Sequence, residues 1–361
     1  MPVFINSAES ISPQKTFQSG SFLSDIVTPE GNYFSCITPD YKEYINPRLL
    51  RRMSSIVRMG IASSQLSLDH AGIEQPDAIV VGTGLGCVED TLKFLNQVIE
   101  NNETLLNPTS FIQSTHNTVS GQIALMLECQ KYNMTFSQKA ISFESALIDV
   151  NMLLKDKDAQ HVLVGGIDEL VEESFLLLVE AGCAKARWED EVLKSTTPGA
   201  IAGEGAAFFV MSDSKNKNTQ ARLDAVEIIH GCSTAKEVTL KLQEFLENKG
   251  LSMADMDVLI SGKNGDTGSN QLYEDIHSLF SKSIVVAYKH LVGEYDTASA
   301  FGTYLATKMI HMNAVPESIR QNGQLKEKIR RCLLVNYTRN KELSCILLSD
   351  KNLPALPDLN S

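Results

Sequence analysis

Basic residues are in deficit in this chain: 32 Lys and Arg face 44 Asp and Glu, a formal net charge of −12. That balance argues against nucleic acid and anionic membrane as general partners. No apolar run approaches the length needed to cross a bilayer, and the N-terminus MPVFINSAES lacks the charged-then-apolar layout of a secretory signal. A cytoplasmic location is the expectation. Paired cysteines are missing as well. The seven thiols, Cys36, Cys87, Cys129, Cys183, Cys232, Cys332 and Cys345, are odd in number, scattered and without a C-x-x-C spacing. This speaks against a disulfide framework or a zinc site, and no cofactor or metal is expected.

What is present is ordinary globular composition, with 43% hydrophobic and 21% charged residues over 361 positions. That length suits one large domain or two intimately packed halves. Periodicity predicts strands at 3–5, 78–81, 134–136, 161–164 and 207–211, with helices within 44–72, at 88–99, 122–128, 144–154 and 174–184. The polar stretch 213–218 reads as a boundary. The pattern then restarts: strands at 223–229, 258–260, 284–287, 333–336 and 344–348, helices at 235–248, 271–280 and 298–312. Two successive alternations predict an α/β fold of two related halves, 1–213 and 219–350, followed by a loose tail, 351–361.

The organising stretch is Thr135 to Glu169, TFSQKAISFESALIDVNMLLKDKDAQHVLVGGIDE. A strand arrives near Phe136 and a helix follows with apolar positions Ala146, Leu147, Val150, Leu153 and Leu154. A buried strand then ends in Gly165-Gly166. Such a unit commonly presents a nucleophile at the turn before the helix, where peptide dipoles favour negative charge. Upstream, Gly82-Thr-Gly-Leu-Gly86 lacks a full G-x-G-x-x-G and a following acidic residue of ribose-binding type, so it reads as a tight strand-to-helix turn.

These segments together resemble the β-ketoacyl synthases, condensing enzymes of the thiolase fold. FINSAESISPQ is similar to their opening I-T-G-x-G-x-I-S-P, and the 78–86 segment to V-V-G-T-G-x-G. Asn107-Pro-Thr-Ser-Phe111 through Gly121 resembles N-P-x-x-F…S-x-x-N-x-x-x-G-x-x-A, and Gly199 through Ala206 resembles G-x-x-x-G-E-G-A, with Glu204 expected to brace a loop. The His116-Asn117 pair resembles ketosynthases and chain-length-factor-like proteins of aryl polyene and flexirubin-type clusters. The resemblance implies a five-layer αβαβα architecture and a dimer in which Thr135 and Phe136 pair across the axis, with His116 and Asn117 near the interface.

The departures fall at the chemistry. The family's elbow carries cysteine in T-A-C-S-S-S-L. Counting back from Gly165-Gly166 puts Ala140 in that slot; matching Ser142-Phe-Glu-Ser-Ala-Leu147 puts Phe143 there. The two histidines that help carboxylate leave in decarboxylating condensation come from H-G-T-x-T-P and K-x-x-x-G-H. The first slot here holds Lys263, in a loop that allows a slip of one residue. In the second motif Lys289 and Gly293 remain, but Glu294 replaces histidine, and a carboxylate there repels malonate and an oxyanion. The G-F-G-G-x-N loop corresponds to the region of 335–340, yet no glycine follows Gly323.

Three readings follow. The first is a non-catalytic homologue that pairs with an active ketosynthase, or with itself, as a chain-length-factor-like subunit. An acyl carrier protein is a further partner, docking on a local basic patch such as Arg48, Arg51, Arg52 and Arg58; the alternative for that cluster is a solvated helix face. The second is an acyltransferase or thioester hydrolase using Ser142 or Ser145, helped by Lys263, Lys289 or Glu294, against the alternative that both serines brace the helix start. The third, ordinary condensation, requires a thiol from elsewhere, such as Cys129 or Cys183.

Overall fold

The structure, a computed structural model, describes residues 2–18, 22–324 and 326–357. The strands are β1 (Val3–Ile11), β2 (Ala78–Gly82), β3 (Tyr132–Phe136), β4 (His161–Asp168), β5 (Gly205–Ser212) and β6 (Ala221–Ile229). They continue as β7 (Val258–Ser261), β8 (Ile284–Ala287), β9 (Arg320–Asn322), β10 (Arg331–Tyr337) and β11 (Leu343–Ser349). The helices are α1 (Pro47–Leu50), α2 (Ser55–Ala71), α3 (Val88–Glu100), α4 (Pro108–Gln113), α5 (Thr118–Met126) and α6 (Ser142–Lys155). After them come α7 (Glu172–Glu180), α8 (Ala235–Glu247), α9 (Thr267–Leu279), α10 (Lys289–Val292) and α11 (Ala298–Met312).

Strand order is β3-β2-β4-β5-β1-β6-β11-β10-β7-β8-β9. β1 joins two arrays, pairing with β5 along most of its length and with β6 through Val3, Phe4 and Ile5. In the first array β2 runs parallel to β3 and β4; in the second β7 runs parallel to β8 and β10.

Alternation along the strands builds the layers, because successive side chains leave opposite faces. Val80, Val162 and Val164 share one apolar cluster with Val258, Ile260 and Val286 and with helices α6 and α11. Those two helices therefore lie between the arrays. The opposite faces, Ile79, Val81 and Leu163, pack on α2, while Leu259, Val285 and Leu333 pack on α8 and α9. The result is helix, sheet, helix, sheet, helix: the five-layer thiolase-like arrangement.

The 44–72 segment differs from the single helical pattern read in the sequence. Arg51–Met53 turn between α1 and α2, and Ser54 is extended (ψ 167°), so the chain restarts; Gly72 at φ 71° ends α2 as expected. The helix placed at 122–128 begins earlier, at Thr118. β9, α4 and α10, of three to six residues, are too short to leave a periodic signature. Beyond Asp350, Arg222 donates to the carbonyls of Leu353 and Pro354 (2.5 and 3.0 Å), and Leu356 packs on the core. Residues 351–357 of the expected loose tail are thus held, and 358–361 lie outside the described residues.

Candidate functional site

The head of α6 is set by a close crossing. A Cβ on Gly82, at the end of β2, would lie 2.7 Å from the backbone of Ser142 and Phe143. Only glycine lets the strand end meet the helix start so tightly. The turn Lys139–Ile141 precedes α6, and Lys139 is held at φ 53°.

The two candidate cysteine positions differ sharply. Ala140 is half-buried in the turn before the helix. Phe143 is fully buried in the first turn of α6, 5.7 Å ring to ring from Phe209 and in the path of any Cβ on Gly166. Neither serine is poised as a nucleophile. Ser142 Oγ donates to Lys139 O (2.6 Å) and accepts from Gln138 N (2.8 Å); Ser145 Oγ donates to Gln138 Oε1 and to Ile141 O (3.0 Å). Cys129 is buried with its Sγ against Pro76 O, and Cys183 follows α7, so neither belongs to the 139–143 turn.

The segment that carries Lys289 and Glu294 comes near α6, close enough for Lys289 to act on Glu144 by charge. Gly293 turns at φ 80°, and Glu294 is pinned by backbone bonds to Ile201 O and from Gly203 N (2.7 and 3.1 Å). Lys289 Nζ, nearly buried, pairs with Glu294 Oε1 at 2.7 Å, and Asn264 Nδ2 donates to Glu294 Oε2 at 2.6 Å. Lys263, one residue earlier, turns away to an ion pair with Glu274 on α9. The residue that this loop brings to Glu294 is therefore Asn264.

Two carboxylates that no motif flagged complete the site. Asp168, at the end of β4, accepts four hydrogen bonds, from Thr83 Oγ1, Gly84 N, Thr297 N and Thr297 Oγ1 (2.7–3.0 Å). Burial still pushes its carboxyl above the ordinary range. Asp296 packs on Gly84 so closely that a Cβ there would overlap its carboxylate. Burial first, then the Asp168 and Glu294 carboxylates, raise Asp296 to about 7, while Lys139 and Lys289 pull it down. Glu144, on α6, is likewise raised by burial, and only one of its oxygens is bonded, by Ser344 Oγ at 2.8 Å.

The pH consequence follows from linkage. Folded Asp296 keeps a proton to higher pH than unfolded Asp296, so its contribution to stability is full below the ordinary aspartate range and lost as pH rises through about 7. Asp296→Asn removes that loss. In urea denaturation, its midpoint relative to wild type should be higher at pH 8 than at pH 5; an equal difference at both pH values would refute the assignment.

Other expected positions fall elsewhere. His116 is exposed beside Gly86, whose φ is 66°, and exposed Asn117 begins α5. Thr135 Oγ1 shares a 2.7 Å hydrogen bond with Ser120 Oγ, and Thr135 and Phe136 are half-buried on β3, the outermost strand of its array. Glu204 braces two loops, accepting from Cys36 N and Leu170 N (2.9 and 3.0 Å). In the glycine-free loop after β10, Arg339 Nη2 reaches Asp266 Oδ2 at 2.7 Å and the carbonyls of Gly182 and Cys183. Among the described residues, no group of three or more His, Cys, Asp or Glu is placed to hold a metal ion, and no helix is long and apolar enough to cross a membrane.

Chemically, the site pairs a helix head with donors and carboxylates but presents no thiol and no imidazole in the turn or at Glu294. It can hold a polar group near Lys289 and Asn264.

The same architecture recurs in solved structures. A β-ketoacyl synthase from Burkholderia phymatum STM815 superposes with a TM-score of 0.77 at 14% identity, over 97% of this chain and 99% of that one. The ishigamide ketosynthase/chain length factor gives 0.77 at 15% identity with the same coverage. AntDE:AntF, a type II polyketide synthase acyl-carrier protein in complex with its ketosynthase bound to the hexaketide, gives 0.70 at 16%, over 97% and 99%. No curated protein matches the sequence. The family profile described as the β-ketoacyl synthase N-terminal domain matches residues 38–244, more than half of the chain, and the protein therefore belongs to the β-ketoacyl synthase family.

Proposed function

We propose that this protein is a non-catalytic β-ketoacyl synthase homologue that acts as the chain-length-factor-like partner of an active ketosynthase in fatty-acid- or polyketide-like biosynthesis. Aryl polyene synthesis is the context that the His116-Asn117 segment favours. The observation that carries the reading is the head of α6, where Ala140 and Phe143 occupy the two cysteine registers and Glu294, tied to Lys289 and Asn264, takes a histidine position. A family member that keeps its scaffold and lacks its sulfur retains the capacity to shape an acyl tunnel and to dimerise.

The dimer face in this reading is β3 with its flank. Tyr132 and Met134 are exposed on an outermost strand, Leu125 is exposed on α5, which packs on β3 and β2, and Phe111 and Ile112 are exposed on α4. An outermost strand offers unpaired backbone groups to a second sheet. Exposed Arg48, Arg51 and Arg52 supply the local positive charge for an acidic carrier protein, whereas Arg58 is half-buried with its Nε unpartnered.

Coexpression with a cysteine-bearing ketosynthase from the same genome tests the proposal. A one-to-one complex is expected, and Met134→Asp should dissociate it by placing charge on the shared strand edge. A stable homodimer that ignores every such ketosynthase overturns the pairing. The alternative of serine-based acyl transfer or hydrolysis rests on Ser142 and Ser145 standing at the helix head; against it, both hydroxyls are engaged by their own turn.

A further inference from the structure

A second polar cleft lies away from the α6 head, at the seam between the two arrays. It is bounded by β1, the end of α2, the segment entering β6 and the last turns of α11, and encloses about 700 Å³. Lys15, Lys217, Lys308, His70 and His311 line it, with Glu9 as the single carboxylate among the lining residues.

Glu9 does not cancel this charge. It is nearly buried, and its Oε1 already contacts His70 Nδ1 at 2.9 Å and pairs with Lys308 Nζ at 3.3 Å. Lys15 and Lys217 form no ion pair with a described residue. Burial first, then the charges of Lys308 and Lys351, hold His311 below the ordinary histidine value. In a chain of net charge −12, a local cationic cleft runs against the overall field. Gln220 also lines the cleft, and its buried Oε1 has no hydrogen-bond partner. One wall is apolar: the half-buried Phe22 ring meets the nearly buried Tyr304 edge to face at 6.5 Å, with Lys308 5.4 Å from the Tyr304 ring centroid.

We infer that this cleft binds a small organic phosphate, its phosphates facing Lys15, Lys217 and Lys308 and its ring or apolar part lying on Phe22. Lysine ammonium groups bind phosphate as point charges, while the Phe22 ring supplies apolar contact area. The volume suits a nucleotide-sized ligand. The site is independent of the pairing proposed above, because it shares no residue with β3 or with the α6 head.

Titration calorimetry of the full chain at low ionic strength, with adenosine 3′,5′-bisphosphate, inorganic phosphate and adenosine as separate probes, tests this. The bisphosphate should bind saturably, at least about tenfold tighter than phosphate, and adenosine should not register. Raising salt should weaken the binding, since exposed charges are screened. Lys15→Gln/Lys217→Gln alters only exposed side chains and should cost at least about tenfold in affinity; Phe22→Ala should weaken the bisphosphate and leave phosphate unchanged. No saturable binding, or binding indifferent to the double lysine change, overturns the site. Equal affinity for phosphate and bisphosphate overturns the assignment of an organic ligand.

Discussion

Incubated with a reactive acyl thioester, the wild-type chain should gain no covalent mass, whereas Ala140→Cys should become acylated at that position. Ala140 is half-buried in the turn that opens α6, next to exposed Lys139. Helix dipole and lysine charge both favour a thiolate there. That thiolate would attack the thioester carbonyl and expel the carrier thiolate, which takes up a proton, leaving the acyl group on sulfur. Intact-protein mass spectrometry reads the outcome directly. Phe143→Cys should stay unmodified, because position 143 is sealed from solvent. An adduct on wild type that disappears in Ser142→Ala would replace the non-catalytic reading with serine chemistry. Labelling of Phe143→Cys but not Ala140→Cys would reverse the register.

Phe143→Ala should lower stability by about 3–5 kcal/mol, the range for removing a buried aromatic ring from a packed core. The ring is fully enclosed between Phe209 and the close crossings at Gly82 and Gly166, so the cavity has little freedom to collapse. Urea denaturation measures this, with Ala140→Gly as the comparison. The glycine change should cost no more than about 1 kcal/mol, since position 140 buries only a methyl group. A loss below about 1 kcal/mol for Phe143→Ala would mean that the ring is not core. Together, the thiol and cavity experiments separate a substrate-facing position from a structural one across three residues of chain.

Those three residues also mark how far the sequence alone reached. Local order was legible: the apolar run of β4 ending in Gly165-Gly166, the helical spacing of α6 and the strands of the second half all follow from side chains that must be buried on one or both faces. The scaffold motifs in their shared order pointed to the family whose profile matches the chain. The break at Arg51–Met53 escaped because the apolar pattern continues across it, and α4, α10 and β9 are too short to carry a period.

The choice between Ala140 and Phe143 was open in the sequence, since the gapless count from Gly165-Gly166 and the local pattern match differ by three positions, nearly one helical turn. Lys263 and Asn264 were equally unresolved; a loop of Gly, Asn and Asp has no periodicity to orient it, and only packing turns Lys263 toward Glu274 and Asn264 toward Glu294. Asp296 and Asp168 belonged to no motif. Their significance arises because β4 of one half meets the loop before α11 of the other, bringing together groups more than a hundred positions apart. The sequence by itself determined the scaffold and the absence of sulfur from the turn, because burial patterns and residue identity are local properties. The tertiary structure decided which side chains surround that turn and how their charges shift, because Coulomb and desolvation energies depend on distances that only the crossing of the two halves sets.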